Sequence, residues 1–168
     1  MATTATPVSP AQGSTAPDRL EKALAFLSLA LLATVLTALV RGQGDWGQVP
    51  ALVWGHLGLI LVALALTPLM LLRPRGDGLH RTLGTIWFLA MFCAAVSSFG
   101  ITRNGHFSPI HLLSIFVVIM VPISWRAARG HRVARHRRVV RGLVIGALLV
   151  AGVFTFPFDR LLGHWLFG

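Results

Sequence analysis

Residues 126–142 read RAARGHRVARHRRVVRG, seven arginines and two histidines in seventeen positions. What the run does is decided by its flanks. Upstream lies 104–125 and downstream 142–158, both free of Asp, Glu, Lys and Arg. Three more such stretches precede them, 23–40, 49–72 and 82–102. A bilayer crossing needs about 20 apolar residues, within a range of roughly 17–25. Lipid supplies no hydrogen bonds, so segments this apolar must be helices that satisfy their own backbone. The fold expected is therefore an all-α integral membrane bundle of five transmembrane helices, drawn at about 23–41, 49–72, 80–102, 108–126 and 139–158. Pro50, and Pro109 after Ser108, mark helix starts.

Five crossings sort the cations. Arg19, Lys22, Arg73, Arg75, Arg81 and the seven arginines of the run fall on one side; Arg41, Arg103 and Arg160 fall on the other. Twelve against three puts the N-terminus and the arginine run in the cytoplasm and the C-terminus outside. The run then reads as a cytoplasmic loop that fixes topology, with anionic lipid headgroups as its partner along Arg126–Arg141. It has no interleaved aromatics and matches no helix-turn-helix or RNA-binding signature, so nucleic acid is not expected as a partner.

Composition agrees. Of 168 residues, 55% are hydrophobic and 12% charged, against about a quarter charged in soluble domains. The net charge of +10 reflects scarce acids, five in all. A single cysteine, Cys93, leaves no internal disulfide and no CxxC site. Residues 1–18 read as a disordered polar tail and 19–168 as one transmembrane domain. The first apolar run is longer than a signal peptide's and has no small-x-small cleavage site, so it reads as a retained helix.

Ionisable groups at membrane depth are the first functional suspects. Besides Cys93, only histidines qualify, at or bordering the spans. Spans two and four run parallel, as do three and five. His56 therefore pairs by depth with His111 at the outer end, and His80 with His136 at the inner end. Two imidazoles on facing helices can hold a b-type haem iron from both sides, and Arg81 and Arg137 beside the inner pair can hold propionates or lipid phosphates. The layout resembles the dihaem cytochrome b561 group, whose ligands come from four consecutive helices in this alternation. That resemblance implies transmembrane electron transfer. Two alternatives stay open. His56 lies six residues past Pro50 and His111 two past Pro109, a depth offset of roughly 6 Å. The inner histidines suit interfacial anchoring, and His56 suits a hydrogen bond to a neighbouring helix, which gives a cofactor-free scaffold, complex subunit or small-solute channel. An outer cluster of His56, His106, His111 and His164 gives a weak zinc or copper site.

Gly142 and Gly146 form a GxxxG face, suited to close helix packing or a homodimer. Trp46, Trp54, Trp87, Trp125 and Trp165 fall near span ends, as interfacial anchors do. No Ser-His-Asp set, carboxylate pair or phosphate-cradling loop names a reaction. His80-Arg81 with Gly84, the Ser-Pro-Ile-His stretch ending at His111, His136-Arg137, and Ala-Gly-Val-Phe-Thr before Arg160 together resemble a bacterial membrane-protein family catalogued as domain of unknown function 2306. The resemblance covers about 50–164 and implies a multi-pass protein of the bacterial inner membrane, with no catalytic residues to carry over. Relatives carry a Met shortly after the second His-Arg pair; here the stretch is Arg137-Arg138-Val139-Val140.

Overall fold

The computed structural model describes residues 16–101, 110–157 and 160–168. The tail to residue 15, His106, the Ser108-Pro109 helix start and Asp159 lie outside them. Among the described residues the regular elements are all helical, with no strand. Four helices are long and apolar enough to cross a membrane: α1 (Arg19–Arg41), α2 (Ala51–Leu72), α3 (Gly78–Ser98) and α4 (Ile110–Arg129). A further helical run follows, made of α5 (Val133–Gly142), a π-helical segment (Leu143–Val150) and α6 (Ala151–Val153). A 3₁₀ turn (Gln43–Gln48) links α1 to α2, and α7 (Leu161–Phe167) closes the chain.

Local chemistry sets the helix starts. Asp18 caps α1: its carboxylate accepts the Glu21 amide at 2.9 Å, and the Glu21 carboxylate accepts the Asp18 amide at 3.1 Å. This reciprocal capping box satisfies two otherwise orphaned donors. Asp77 caps α3 by accepting the His80 amide at 2.8 Å, which starts that helix at Gly78 rather than at 80. α3 ends at Ser98, short of the expected 102. The arginine run is mostly helix rather than loop. α4 continues through Arg129, α5 begins at Val133 rather than 139, and only Gly130–Arg132 turn between them, with His131 at φ 53°.

The helices close into a ring. α1 packs on α2, α2 on α3, α3 on α4, α4 on α5 and the π segment, and the π segment returns to α1. The wall is apolar as well as the core, unlike that of a water-soluble bundle. Glu21, Ser28, Thr67, His111 and Ser124 are buried, while Phe26, Leu112, Ile119 and Val153 are exposed. An apolar wall around polar side chains is what a hydrocarbon surrounding selects, and the bundle is compatible with a multi-pass membrane protein. Gly142 and Gly146 face Phe116 of α4, whose ring would lie 3.9 Å from a Cβ at either position, so their smooth face is used inside the chain.

Two tryptophans depart from the interfacial expectation. Trp87 and Trp165 are 4% and 5% exposed. The Trp87 indole donates to the Thr67 hydroxyl at 2.9 Å, and that hydroxyl donates to the Ala63 carbonyl at 2.7 Å. An indole N–H can enter an apolar interior when an acceptor waits there.

Candidate functional site

The four histidines stand in two layers, labelled outer and inner after the topology expected from the sequence. In the outer layer, His56 of α2 places Nδ1 3.0 Å from the Ala94 carbonyl and 3.0 Å from the Ser97 hydroxyl. His111 of α4 places Nε2 3.2 Å from the Ser98 carbonyl, with its ring 6.0 Å from that of Phe99. Ser98 and Ser114 join hydroxyls at 2.6 Å beside it. Both imidazoles thus reach a single turn of α3, from the two helices that flank it.

In the inner layer, His136 of α5 lies 3.1 Å from the Ser124 hydroxyl and 3.3 Å from the Ser124 carbonyl through Nδ1. Its ring packs edge-on against Phe88 at 6.0 Å, and Phe88 in turn lies 5.8 Å from Trp125. His80 lies within electrostatic reach of His136. Its Nδ1 is buried with no hydrogen-bond partner among the described residues. From His111 to Ser124 along α4 the layers are about 20 Å apart.

The arginines assigned to this layer behave differently from each other. Arg81 donates to the Gly76 carbonyl in its own loop, at 3.1 Å. Arg137 turns to the N-terminus of α1, donating to Glu21 at 2.6 and 2.9 Å and pairing with Asp18 at 3.1 Å. Arg141 also meets Glu21, at 3.0 Å, and Asp18; Arg75 meets Glu21 and the Ala16 carbonyl. Glu21 is 1% exposed and is the shared centre of this network. The carboxylate holds Arg137 firmly protonated, its pKa raised above the ordinary value by the hydrogen bond to Glu21. Arg75 lies within electrostatic reach of His80 and His136, so the ion network and the inner histidine layer adjoin.

Sequence reasoning placed Glu21 outside the first span and missed both it and Arg75. Asp18-x-x-Glu21 carried a legible signal, a capping box. The i,i+4 spacing of Arg137 and Arg141 on one helix face was the other half.

The remaining predicted site residues are not brought together. His164 is exposed on α7, beside Arg41 and Asp45, and His106 lies outside the described residues. Among the described residues, no three His, Cys, Asp or Glu side chains are grouped to hold a metal ion. Cys93 sits on the outer wall of α3.

Fit to a haem can be judged from the ring nitrogens. Metal-bound histidine usually donates its second ring N–H to a carbonyl or similar acceptor, which leaves the other nitrogen to the metal. His56 and His136 have this arrangement through Nδ1, and Nε2 is the nitrogen left over. His80 offers a buried nitrogen that nothing else engages. His111 instead directs Nε2 at Ser98, with its ring in a socket closed by Phe99. Each inner histidine thus keeps a ring nitrogen unengaged among the described residues, and the outer pair as arranged forms a hydrogen-bonded clamp on α3. A scan of protein-family models, a search of curated proteins and a search of solved structures each find no match to this chain.

Proposed function

We propose that this chain is a membrane protein of five crossings, N-terminus and arginine run inside and C-terminus outside, in which His80 and His136 hold a b-type haem for electron transfer. The observation that carries the reading is the His80 Nδ1, buried without a hydrogen-bond partner among the described residues and within electrostatic reach of His136. The fifth crossing is the apolar stretch drawn at about 139–158, whose described part is helical through Val153. The orientation rests on the distribution of cations. The resemblances drawn from sequence support a bacterial inner-membrane location and haem chemistry.

When bound, the group supplies a one-electron couple at its iron. The chain's own residues provide the rest. Ser124 fixes the ring orientation of His136, Phe88 and Trp125 keep water from the imidazole, and Arg75 places a positive charge near both rings.

The test is a visible spectrum of the detergent-purified protein after expression with haem supplied. A Soret band that shifts on dithionite is expected, lost in His80→Ala and in His136→Ala and kept in His56→Ala and His111→Ala. A colourless preparation, or a band lost only in the outer variants, overturns the inner site. Tags at the two chain ends reporting the same compartment overturn the five crossings.

A second reading has its own observation. His56, His111 and His136 each hydrogen-bond a neighbouring helix, as histidines in a cofactor-free scaffold or complex subunit do. A colourless protein that loses stability with each of the three substitutions supports it.

A further inference from the structure

The arginines of the 126–141 run divide into two groups. Arg137 and Arg141 are engaged by Glu21 and Asp18. Arg126 and Arg129, in the last turn of α4, have side chains without a hydrogen-bond or ion-pair partner among the described residues. They stand at the mouth of a groove of about 410 Å³ between α3 and α4. Its walls are Leu89 and Phe92 of α3 and Val121, Pro122 and Trp125 of α4. From Arg129 to Val121 the groove follows α4 for about 12 Å toward the middle of the bundle. It opens on the outer wall, where Leu89 is exposed.

We propose that this groove is a site for one anionic phospholipid, its phosphate held by Arg126 and Arg129 and an acyl chain lying along Phe92 and Val121. Charge decides the headgroup: two free guanidiniums within one turn match a phosphate with no compensating cation of its own. The lining decides the tail, because the walls beyond the arginines are apolar. Trp125 sits at the boundary of the two, where an indole is at home. A zwitterionic lipid carries its own ammonium and gains less from the pair. The site does not depend on the haem reading.

The test is native mass spectrometry of the detergent-purified full chain offered phosphatidylglycerol and phosphatidylcholine of identical acyl chains. The expected result is one retained phosphatidylglycerol per chain, preferred about thirtyfold, the scale of two arginines near an anionic surface. Arg126→Gln with Arg129→Gln should bring the preference close to one. Leu89→Trp, which fills the groove from its exposed side, should lose the adduct with both arginines in place. Arg132→Gln with Arg135→Gln removes the same charge from the same run outside the groove and should keep the preference. Equal loss in that control overturns the proposal in favour of diffuse charge attraction. Displacement of the lipid by glycerol 3-phosphate overturns it in favour of a soluble-anion site.

Discussion

The two ends of the bundle are fastened by different chemistry. At the arginine end, the first turn of α1, the α2–α3 loop and α5 meet on the buried Glu21 carboxylate through Arg75, Arg137 and Arg141. At the opposite end, Trp46, Trp54 and Trp165 meet ring on ring, at 5.4 and 6.3 Å, where α1 turns into α2 and α7 folds back. One fastening needs charge and responds to acid and salt. The other needs volume and responds only to shape. Both are built from residues far apart in sequence, yet only the first joins α1 to α5 and closes the ring.

Glu21→Gln is the most damaging change expected. It keeps the volume and removes the charge that three guanidiniums share. Breaking a buried pair leaves uncompensated charge and costs 3–5 kcal/mol. These arginines are 14–23% exposed, so about 3 kcal/mol is expected, read from denaturation in mixed detergent and SDS micelles. An equal loss in Glu21→Ala and Glu21→Gln confirms that charge is lost rather than packing. Acid sharpens the contrast. The Asp18 carboxyl is held below its ordinary value of 3.8, first by the Glu21 amide and then by Arg141 and Arg137. A lowered carboxylate pKa stabilises fully above the ordinary value and ceases to do so as pH falls through the lowered one. The arginine end should therefore loosen below pH 3.8, an effect reduced in Asp18→Asn, while the tryptophan end holds.

The corresponding break at the tryptophan end is Gly42→Ala. Gly42 follows α1 at φ −86°, so its backbone does not require glycine. The close approach of the Trp165 ring does, because a Cβ there would lie 2.1 Å from Cγ and Cδ2. Overpacking costs about 2 kcal/mol in the same titration. The same change in a Trp165→Ala background should be close to neutral. It should also show no dependence on pH or salt, which separates the two ends.

The difference between the ends also marks what was legible in the sequence. Apolar length announced the helices, and the alternation of cations placed Asp18, Glu21, Arg75 and Arg137 toward one end. His56 and His111 contact α3 between Ala94 and Ser98, a partner that their spacing did not name. What stayed hidden was which face each residue turns. Every face of these helices is apolar, so periodicity does not separate lipid from interior, and Trp87 and Trp165 read as interfacial when they are buried. Arg137 beside His136 read as a contact for a propionate or a lipid phosphate. Its partner Glu21 lies 116 positions away and is reached only because the ring closes, which local spacing does not encode.

Between the two ends lies a neutral tie. Trp87→Phe keeps most of the ring and removes the bond to Thr67, whose hydroxyl still donates to Ala63. Interhelical hydrogen bonds within a membrane average about 0.6 kcal/mol, and a loss near that value is expected. A loss as large as that of Glu21→Gln would mean that the middle of the bundle, rather than its ends, holds the helices together.

The smallest effect belongs to an ion pair at the arginine end that lies apart from the network of Asp18 and Glu21. Arg73 donates to Asp77 at 2.8 Å, with side chains 37% and 43% exposed. Water screens such a pair, and its two side chains lose rotamer freedom to form it, so exposed pairs contribute about 0–1 kcal/mol. Arg73→Gln should cost under about 0.5 kcal/mol in the same titration. Asp77 keeps its role as the cap of α3 whatever Arg73 does, because it also accepts the His80 amide. Asp77→Ala should therefore cost more than Arg73→Gln, by the roughly 1 kcal/mol typical of a lost N-cap. If the two changes cost the same, the pair matters and the cap does not, and the burial of Glu21 is not what sets it apart from its neighbours.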